Sequence, residues 1–278
     1  MILSGKAKLA GVMGWPVSHS RSPRLHGFWL NRYQIDGAYV PLAVPPEKIR
    51  EALRALSCLG FKGCNVTIPH KEAAFEAVDR LTGRAKKIGA VNTVMVDENG
   101  GLTGDNTDGY GFIENLKAGA AGWRTEKPAA VLGAGGAARG VLVALQDAGV
   151  KNIRLTNRTK QRAEALAADL GGIEVVDWSE RSDCLEDVGL LVNTTSLGMS
   201  GQAPLDMTLS GLNAEAVVTD IVYSPLKTDL LLKAEQRGNT VVDGLGMLLH
   251  QARPGFAAWF GVEPEVDDAL RSFVLEDL

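Results

Sequence analysis

Cysteine is scarce in this chain of 278 residues. Cys58, Cys64 and Cys184 are too few, and odd in number, for a disulfide framework, and their spacing matches no zinc site. They read as small buried or half-buried thiols of a reducing compartment. Aromatic residues make up only 6%, which argues against stacking platforms for single-stranded nucleic acid. Positive charge is not in excess either: 29 Lys and Arg stand against 33 Asp and Glu, a formal net charge of −4. Broad binding to a phosphate backbone is therefore not expected. The four histidines show no His-Glu-x-x-His or similar spacing, so no metal is expected. No uninterrupted apolar run reaches the roughly 18 residues of a membrane span. The start, Met1 to Gly11, lacks the apolar stretch and small-residue cleavage site of a signal peptide, and the expected compartment is the cytoplasm.

What is present is an alternation. Apolar residues are 45% and charged residues 22%, ordinary values for a globular chain, and the length suggests one large domain or two ordinary ones. In the middle, the apolar runs 129–132, 152–156, 173–176, 188–193, 217–222 and 240–242 read as buried strands. The segments 137–148, 160–170 and 228–237 read as helices between them. Short buried strands separated by helices of about ten residues imply βαβ units on a parallel sheet. The first 110 residues also alternate: strands at 7–14, 38–43 and 63–68, helices at 25–33 and 45–59, and a hairpin of 91–96 with 101–103. Gly119 to Lys127 is glycine-rich and polar and separates the two parts, and the tail after Gly244 is helical. The expectation is two α/β lobes, with the C-terminal helices returning to the first.

Ala129 to Leu132 leads directly into Gly133-Ala134-Gly135-Gly136-Ala137, and a helix follows. Strand, Gly-x-Gly-x-x-Ala and helix in that order form a dinucleotide-binding loop, in which glycines let the backbone approach a pyrophosphate at the free N–H groups of the helix start. An NAD enzyme usually carries Asp or Glu at the end of the next strand, for the ribose 2′-OH. Here that place holds Asn157-Arg158-Thr159, with Arg162 soon after. Forked guanidinium donors suit a 2′-phosphate, so the expected cofactor is NADP(H).

Four polar clusters in the first lobe lie at strand ends, where α/β folds present working groups. They are His19-Ser20-Arg21-Ser22-Pro23, Asn65-Val66-Thr67-Ile68-Pro69-His70-Lys71, Asn92-Thr93, and Asp105-Asn106-Thr107-Asp108-Gly109. With Gly133 to Ala137, Asn157 to Thr159, Asn193 to Ser196, Asp220 to Tyr223 and Gly244 to Leu248 plus Gln251, they resemble the shikimate dehydrogenase family over nearly the whole chain.

That resemblance implies a fold of two lobes with a cleft between them. One is an α/β substrate-binding domain, residues 1–108 completed by 245–278. The other is a Rossmann-like doubly wound parallel-sheet domain for NADP(H), residues 109–244. It implies reversible NADPH-dependent reduction of 3-dehydroshikimate to shikimate, with Lys71 and Asp108 as the catalytic pair. Ser20 and Ser22 are implied for the substrate carboxylate, though a serine there also suits a helix N-cap. Asn65, Thr67, Asn92 and Gln251 are implied for ring hydroxyls or carboxylate, and Tyr223 for the substrate border. Gly133 to Ala137, Asn157, Arg158, Thr159, Arg162, Thr195, Ile221, Gly244 and Met247 are implied for the cofactor. One departure is visible: the family often has His-Asn where this chain has His26-Gly27.

The chemistry of the pair fits reduction of a ketone. Hydride transfer leaves an alkoxide that must gain a proton, and a compact ammonium such as Lys71 stabilises that charge as it forms. Asp108 holds the ammonium in position. His70 is a weaker acid/base candidate, and His19 and the five tryptophans read as structural. The partner is a small-molecule substrate, with no nucleic acid and no membrane, and the chain acts as a monomer or homodimer. Two alternatives are a quinate/shikimate dehydrogenase with broader cofactor use and a nicotinamide-binding regulator without catalysis. Serine at both positions 20 and 22 speaks against the first, and an intact Lys71 and Asp108 against the second.

Overall fold

A computed structural model describes residues 2–276. By the density of its contacts the chain forms two units. The first comprises residues 2–107 and 251–276, and the second residues 108–250. The divisions fall at the start of one helix and inside another, so Asp108, counted with the first domain at the sequence level, belongs to the second unit, as do residues 245–250.

The first unit is built on a six-stranded mixed sheet. Its strands are β1 (Lys8–Gly14), β2 (Gly37–Ala43), β3 (Phe61–Val66), β4 (Arg80–Leu81), β5 (Thr93–Val96) and β6 (Leu102–Asp105). They lie in the order β2-β1-β3-β5-β6-β4. β1 runs parallel to both β2 and β3, whereas β5 is antiparallel to β3 and to β6. The β5–β6 pair is the hairpin expected across Asp97 to Gly100. Four helices connect these strands: α1 (Ser22–Arg32), α2 (Ile49–Cys58), α3 (Lys71–Ala77) and α4 (Gly83–Ile88). A 3-10 turn at Pro46–Lys48 leads into α2, whose Ile49, Leu53 and Leu56 recur at helical spacing and are buried against the sheet. α4 has the cap signals of a short helix, with Thr82 accepting from the Ala85 N–H and Gly89 left-handed at its end.

The C-terminal residues complete this unit. An aromatic cluster joins His26 and Trp29 of α1 and Tyr39 of β2 to Phe256, Trp259 and Phe260 of the last long helix. Trp259 donates its indole N–H to the Val94 carbonyl at 3.0 Å. Gly63 permits that contact: a Cβ there would stand 2.0 Å from the Val94 oxygen and 2.3 Å from the Trp259 nitrogen.

The second unit carries six strands, all parallel: β7 (Ala129–Leu132), β8 (Ile153–Thr156), β9 (Ile173–Val176), β10 (Leu190–Asn193), β11 (Val217–Asp220) and β12 (Thr240–Val242). Their order is β12-β11-β10-β7-β8-β9. The chain moves outward from β7 through β8 to β9, then returns to the other side of β7 with β10, so the direction of winding reverses between β7 and β10. Helices α5 (Asp108–Gly119), α6 (Gly136–Asp147), α7 (Lys160–Leu170) and α8 (Asp229–Gln236) cover the sheet. Two apolar clusters lie on this sheet. One contains Val131, Leu155 and Val192 with Val141 and Leu145 of α6; the other contains Leu132, Leu191 and Val218 with Leu230 and Leu231 of α8. α9 (Leu245–Phe260) starts in this unit and ends in the first, and α10 (Asp268–Leu275) follows.

Two sequence readings are corrected. Cys58, expected to be at least half-buried, is exposed at the end of α2, while Cys64 is buried and Cys184 intermediate. Trp15, expected to pack, is 47% exposed just past β1. α5, α4 and β4 were not distinguished in the sequence: α5 contains Gly109, Gly111 and Gly119, and β4 is only two residues long.

Candidate functional site

In the first unit the polar clusters collect at one sheet edge. β1 and β3 end there, and because β5 is antiparallel it begins there. Ser20 and Ser22 lie where the chain enters α1, and the Ser20 hydroxyl accepts from the Ser22 N–H at 3.3 Å. Arg21 stands at the N-cap of α1 with no side-chain cap bond, so neither serine fills the N-cap role expected for that place. Thr67 follows β3, where its N–H donates to the Met13 carbonyl. Lys71 opens α3, and its carbonyl accepts from the Val91 N–H at 2.9 Å, which ties the lysine backbone to the residue before Asn92.

The asparagines are held by buried partners. Asn65 donates from Nδ2 to the Asn92 carbonyl at 3.1 Å and to Thr93 Oγ1 at 3.2 Å, and its Oδ1 accepts from the Tyr39 hydroxyl at 2.6 Å. Asn92 Oδ1 accepts from the Thr93 hydroxyl, the Thr107 N–H and the Thr107 hydroxyl. That crowd of donors fixes the amide so that Nδ2 points to Gln251 Oε1, 3.5 Å away. Asn65, Asn92 and Gln251 therefore belong to one arrangement within this unit. Thr93 and Thr107, named in the polar clusters without a role of their own, join this arrangement, and so does Tyr39, which sequence reading did not single out. Tyr39 resembled an ordinary strand residue, and only its reach across the sheet reveals the contact.

His70 is buried and its Nε2 lies 2.7 Å from the Val44 carbonyl, so it braces the loop before α3. His19 is exposed. His26 is wholly buried and stacks on Tyr39 with ring centroids 3.8 Å apart. Burial lowers its pKa to about 3, and neither ring nitrogen has a hydrogen-bond partner among the described residues. At the neighbouring Gly27 a Cβ would meet nothing within 4 Å, so the departure from His-Asn is a local surface feature. Asp105, also buried, accepts from Thr82 and pairs with Arg84 at 2.6 Å, a structural turn partner.

In the second unit the candidate residues lie at the carboxyl ends of β7, β8, β10 and β11, around the reversal of winding, where α/β sheets bind ligands. Gly133 has φ +105°, and a Cβ there would stand 2.7 Å from Thr194 Oγ1. Gly135 and Gly136 begin α6 and are exposed, with nothing within 4 Å of a would-be Cβ, so the helix start is open to a ligand. The Ala134 N–H donates to Asn157 Oδ1, and Asn157 Nδ2 donates to the Thr159 carbonyl, which locks the ends of β7 and β8 together. Ala137 follows in the first turn of α6. Arg158 and Arg162 are exposed, and neither forms an ion pair among the described residues. A pyrophosphate at Gly135–Gly136 and a 2′-phosphate at these guanidiniums both fit the residues present.

Beneath the other half of this edge lies Asp220. It is fully buried and accepts from Asn193 Nδ2, the Val222 N–H and the Thr228 hydroxyl. Asn193 Oδ1 in turn accepts from the N–H and hydroxyl of Thr195. Burial raises the Asp220 pKa, against the pull of those three donors. The carboxylate thereby ties the loop with Thr195 to the loop with Ile221 and Tyr223. Tyr223, expected to border the substrate, is thus in the same unit as the cofactor candidates. Gly244 packs directly on Ile221, where a Cβ would stand 2.3 Å from its carbonyl oxygen, and Met247 and Ile221 border the same apolar cluster as Ala134. Asp108 opens α5, which packs tightly on α6: a Cβ on Gly109 would stand 2.9 Å from the Gly140 carbonyl. No cluster of metal-binding side chains occurs among the described residues.

Comparison with known proteins gives a consistent result. Residues 12–94 match the family model for the shikimate dehydrogenase substrate binding domain, and residues 118–200 the model for shikimate / quinate 5-dehydrogenase. A shikimate dehydrogenase (NADP(+)) of Paramagnetospirillum magneticum is 63% identical over 98% of this chain and 100% of its own. Another of the same name, from Rhodospirillum rubrum, is 59% identical over 99% of each. The crystal structure of the Thermus thermophilus shikimate 5-dehydrogenase in complex with NADP(H) and shikimate superposes with a TM-score of 0.87 at 37% identity, covering 98% of this chain and 100% of that one.

Proposed function

The chain belongs to the shikimate dehydrogenase family, and from that premise we propose that it catalyses the reversible, NADPH-dependent reduction of 3-dehydroshikimate to shikimate. It is an oxidoreductase acting on a CH–OH group, and its reaction serves aromatic amino acid biosynthesis through chorismate. The observation that carries the reading furthest is the near full-length identity to NADP-dependent relatives. The open helix start at Gly135–Gly136 and the two exposed arginines after β8 support it independently.

NADPH supplies the hydride. The second unit binds the pyrophosphate at the start of α6 and reads the 2′-phosphate with Arg158 and Arg162. Thr195, Ile221, Gly244 and Met247 line the path toward the nicotinamide, and Tyr223 borders the substrate. The first unit binds the cyclic hydroxy-acid: Ser20 and Ser22 donate to its carboxylate, and Asn65, Thr67, Asn92 and Gln251 bond its hydroxyls. Lys71 stabilises the negative charge growing on the carbonyl oxygen and delivers the proton, and Asp108 is the other member of the acid/base pair. The three free thiols support a cytoplasmic setting, and no helix among the described residues is long and apolar enough to cross a membrane.

The test is nicotinamide absorbance in the oxidative direction, with shikimate or quinate offered alongside NADP⁺ or NAD⁺. Reduction of NADP⁺ with shikimate is the expected result. Equal rates with quinate would favour the broader enzyme, and no change with any combination would refute dehydrogenase function.

A further inference from the structure

In the first unit the amide of Asn65 meets a phenol that reaches it from two strands away. Tyr39 lies on β2 and Asn65 on β3, with β1 between them. Two strand spacings separate them, about 10 Å. Tyr39 is in register with Ala10 of β1, and a residue this small lets the ring pass over the middle strand. The ring is then clamped against His26, the two planes 2° apart, and its hydroxyl donates to Asn65 Oδ1 at 2.6 Å. The direction of that bond is determined. Asn65 Nδ2 faces the Asn92 carbonyl, which can only accept, so Oδ1 must face Tyr39 and the phenol must donate.

We propose that Tyr39 is a positioning residue of the substrate site, ordering the Asn65 amide before substrate arrives. The proposal rests on the functional reading above, in which Asn65 bonds the substrate. Removing the phenol hydroxyl leaves a buried amide oxygen without its donor.

Tyr39→Phe keeps the ring on His26 and deletes only the hydroxyl. The KM for shikimate should rise about tenfold, the size expected when one buried acceptor loses its donor. kcat should stay within about threefold and the KM for NADP⁺ should not move. In an Asn65→Ala background the same substitution should add less than about twofold, because its route to the substrate is already cut. Thr93→Val, which removes a different partner of the Asn65 amide, should reproduce the shikimate-specific KM rise and serves as the test should Y39F fail to fold. A shikimate KM within about twofold of the wild type would overturn the proposal. So would equal effects in both backgrounds, or equal rises in both KM values accompanied by a lower Tm. Wild-type protein that never reduces NADP⁺ with shikimate would instead overturn the functional reading.

Discussion

The second unit prepares its edge largely with backbone, the first largely with side chains. In the second, parallel strands end in Gly133 to Gly136, an open helix start, and loops tied by one buried carboxylate. In the first, mixed strands bring Tyr39, Asn65, Asn92, Thr93 and Thr107 into a continuous chain of hydrogen bonds. The difference follows from what each is proposed to bind. A pyrophosphate asks for N–H groups and room, which glycine supplies. A small ring with several hydroxyls asks for oriented donors and acceptors, which only fixed amides and hydroxyls supply.

The comparison breaks most sharply at Lys71. Lys71→Ala should reduce turnover by a hundredfold or more, within the range for a positioned proton donor of about 10²–10⁴. NADPH binding, followed by nucleotide fluorescence, should persist, because the residues proposed to hold it are all in the other unit. Near-normal turnover would remove the lysine from the chemistry, and loss of NADPH binding would show that the division of labour is wrong.

Acid should separate the units next. His26 is buried as the neutral ring with a pKa of about 3, against 6.5 for an ordinary histidine. Between those values the unfolded chain takes up a proton that the folded one refuses, so stability is lost as pH falls through that window. The limiting slope is about 1.4 kcal/mol per pH unit for one proton. His26→Phe should flatten this acid limb in urea melts made at successive pH values. Asp220 acts with the opposite sign: its raised pKa makes the folded state hold its proton longer, so its contribution falls as pH rises. Asp220→Asn removes that dependence but places an amide N–H₂ among three donors. The KM for NADPH should then rise about tenfold or more while the KM for shikimate changes little, a split that steady-state kinetics reads directly.

The two units were not equally legible. Strands β7, β10 and β11 are buried along their whole length, because both faces of the middle of a parallel sheet are covered, and their positions emerge from pattern alone. In the first unit β5 and β6 could be read from Asp97 to Gly100, but β4 spans only Arg80–Leu81 and carries no period to detect. The chemistry-bearing residues stood out because they are polar at strand ends. Tyr39 did not, since a tyrosine in a strand has the composition of packing, and its role comes from β2 and β3 flanking a small residue of β1. Thr93 and Thr107 stood within the polar clusters, but their part in the arrangement was not legible there: register, which no local window contains, places their hydroxyls around Asn92.

The mildest expected effect is also the most specific to the second unit. Arg158 and Arg162 are exposed at the end of β8, so each works in high dielectric and alone contributes little. Arg158→Ala should raise the KM for NADPH about tenfold, the loss of one charge-assisted contact to a phosphate. The KM for NADH, which lacks that phosphate, should be unchanged, and added salt should narrow the gap between wild type and variant because an exposed pair is screened. Since β8 and its following turn keep their backbone bonds through Asn157, Tm should hold. An equal loss with both nucleotides would mean that the arginine supports the loop and does not read the phosphate. Discrimination between the two cofactors would then have to come from Arg162 or from the residues at the start of α6.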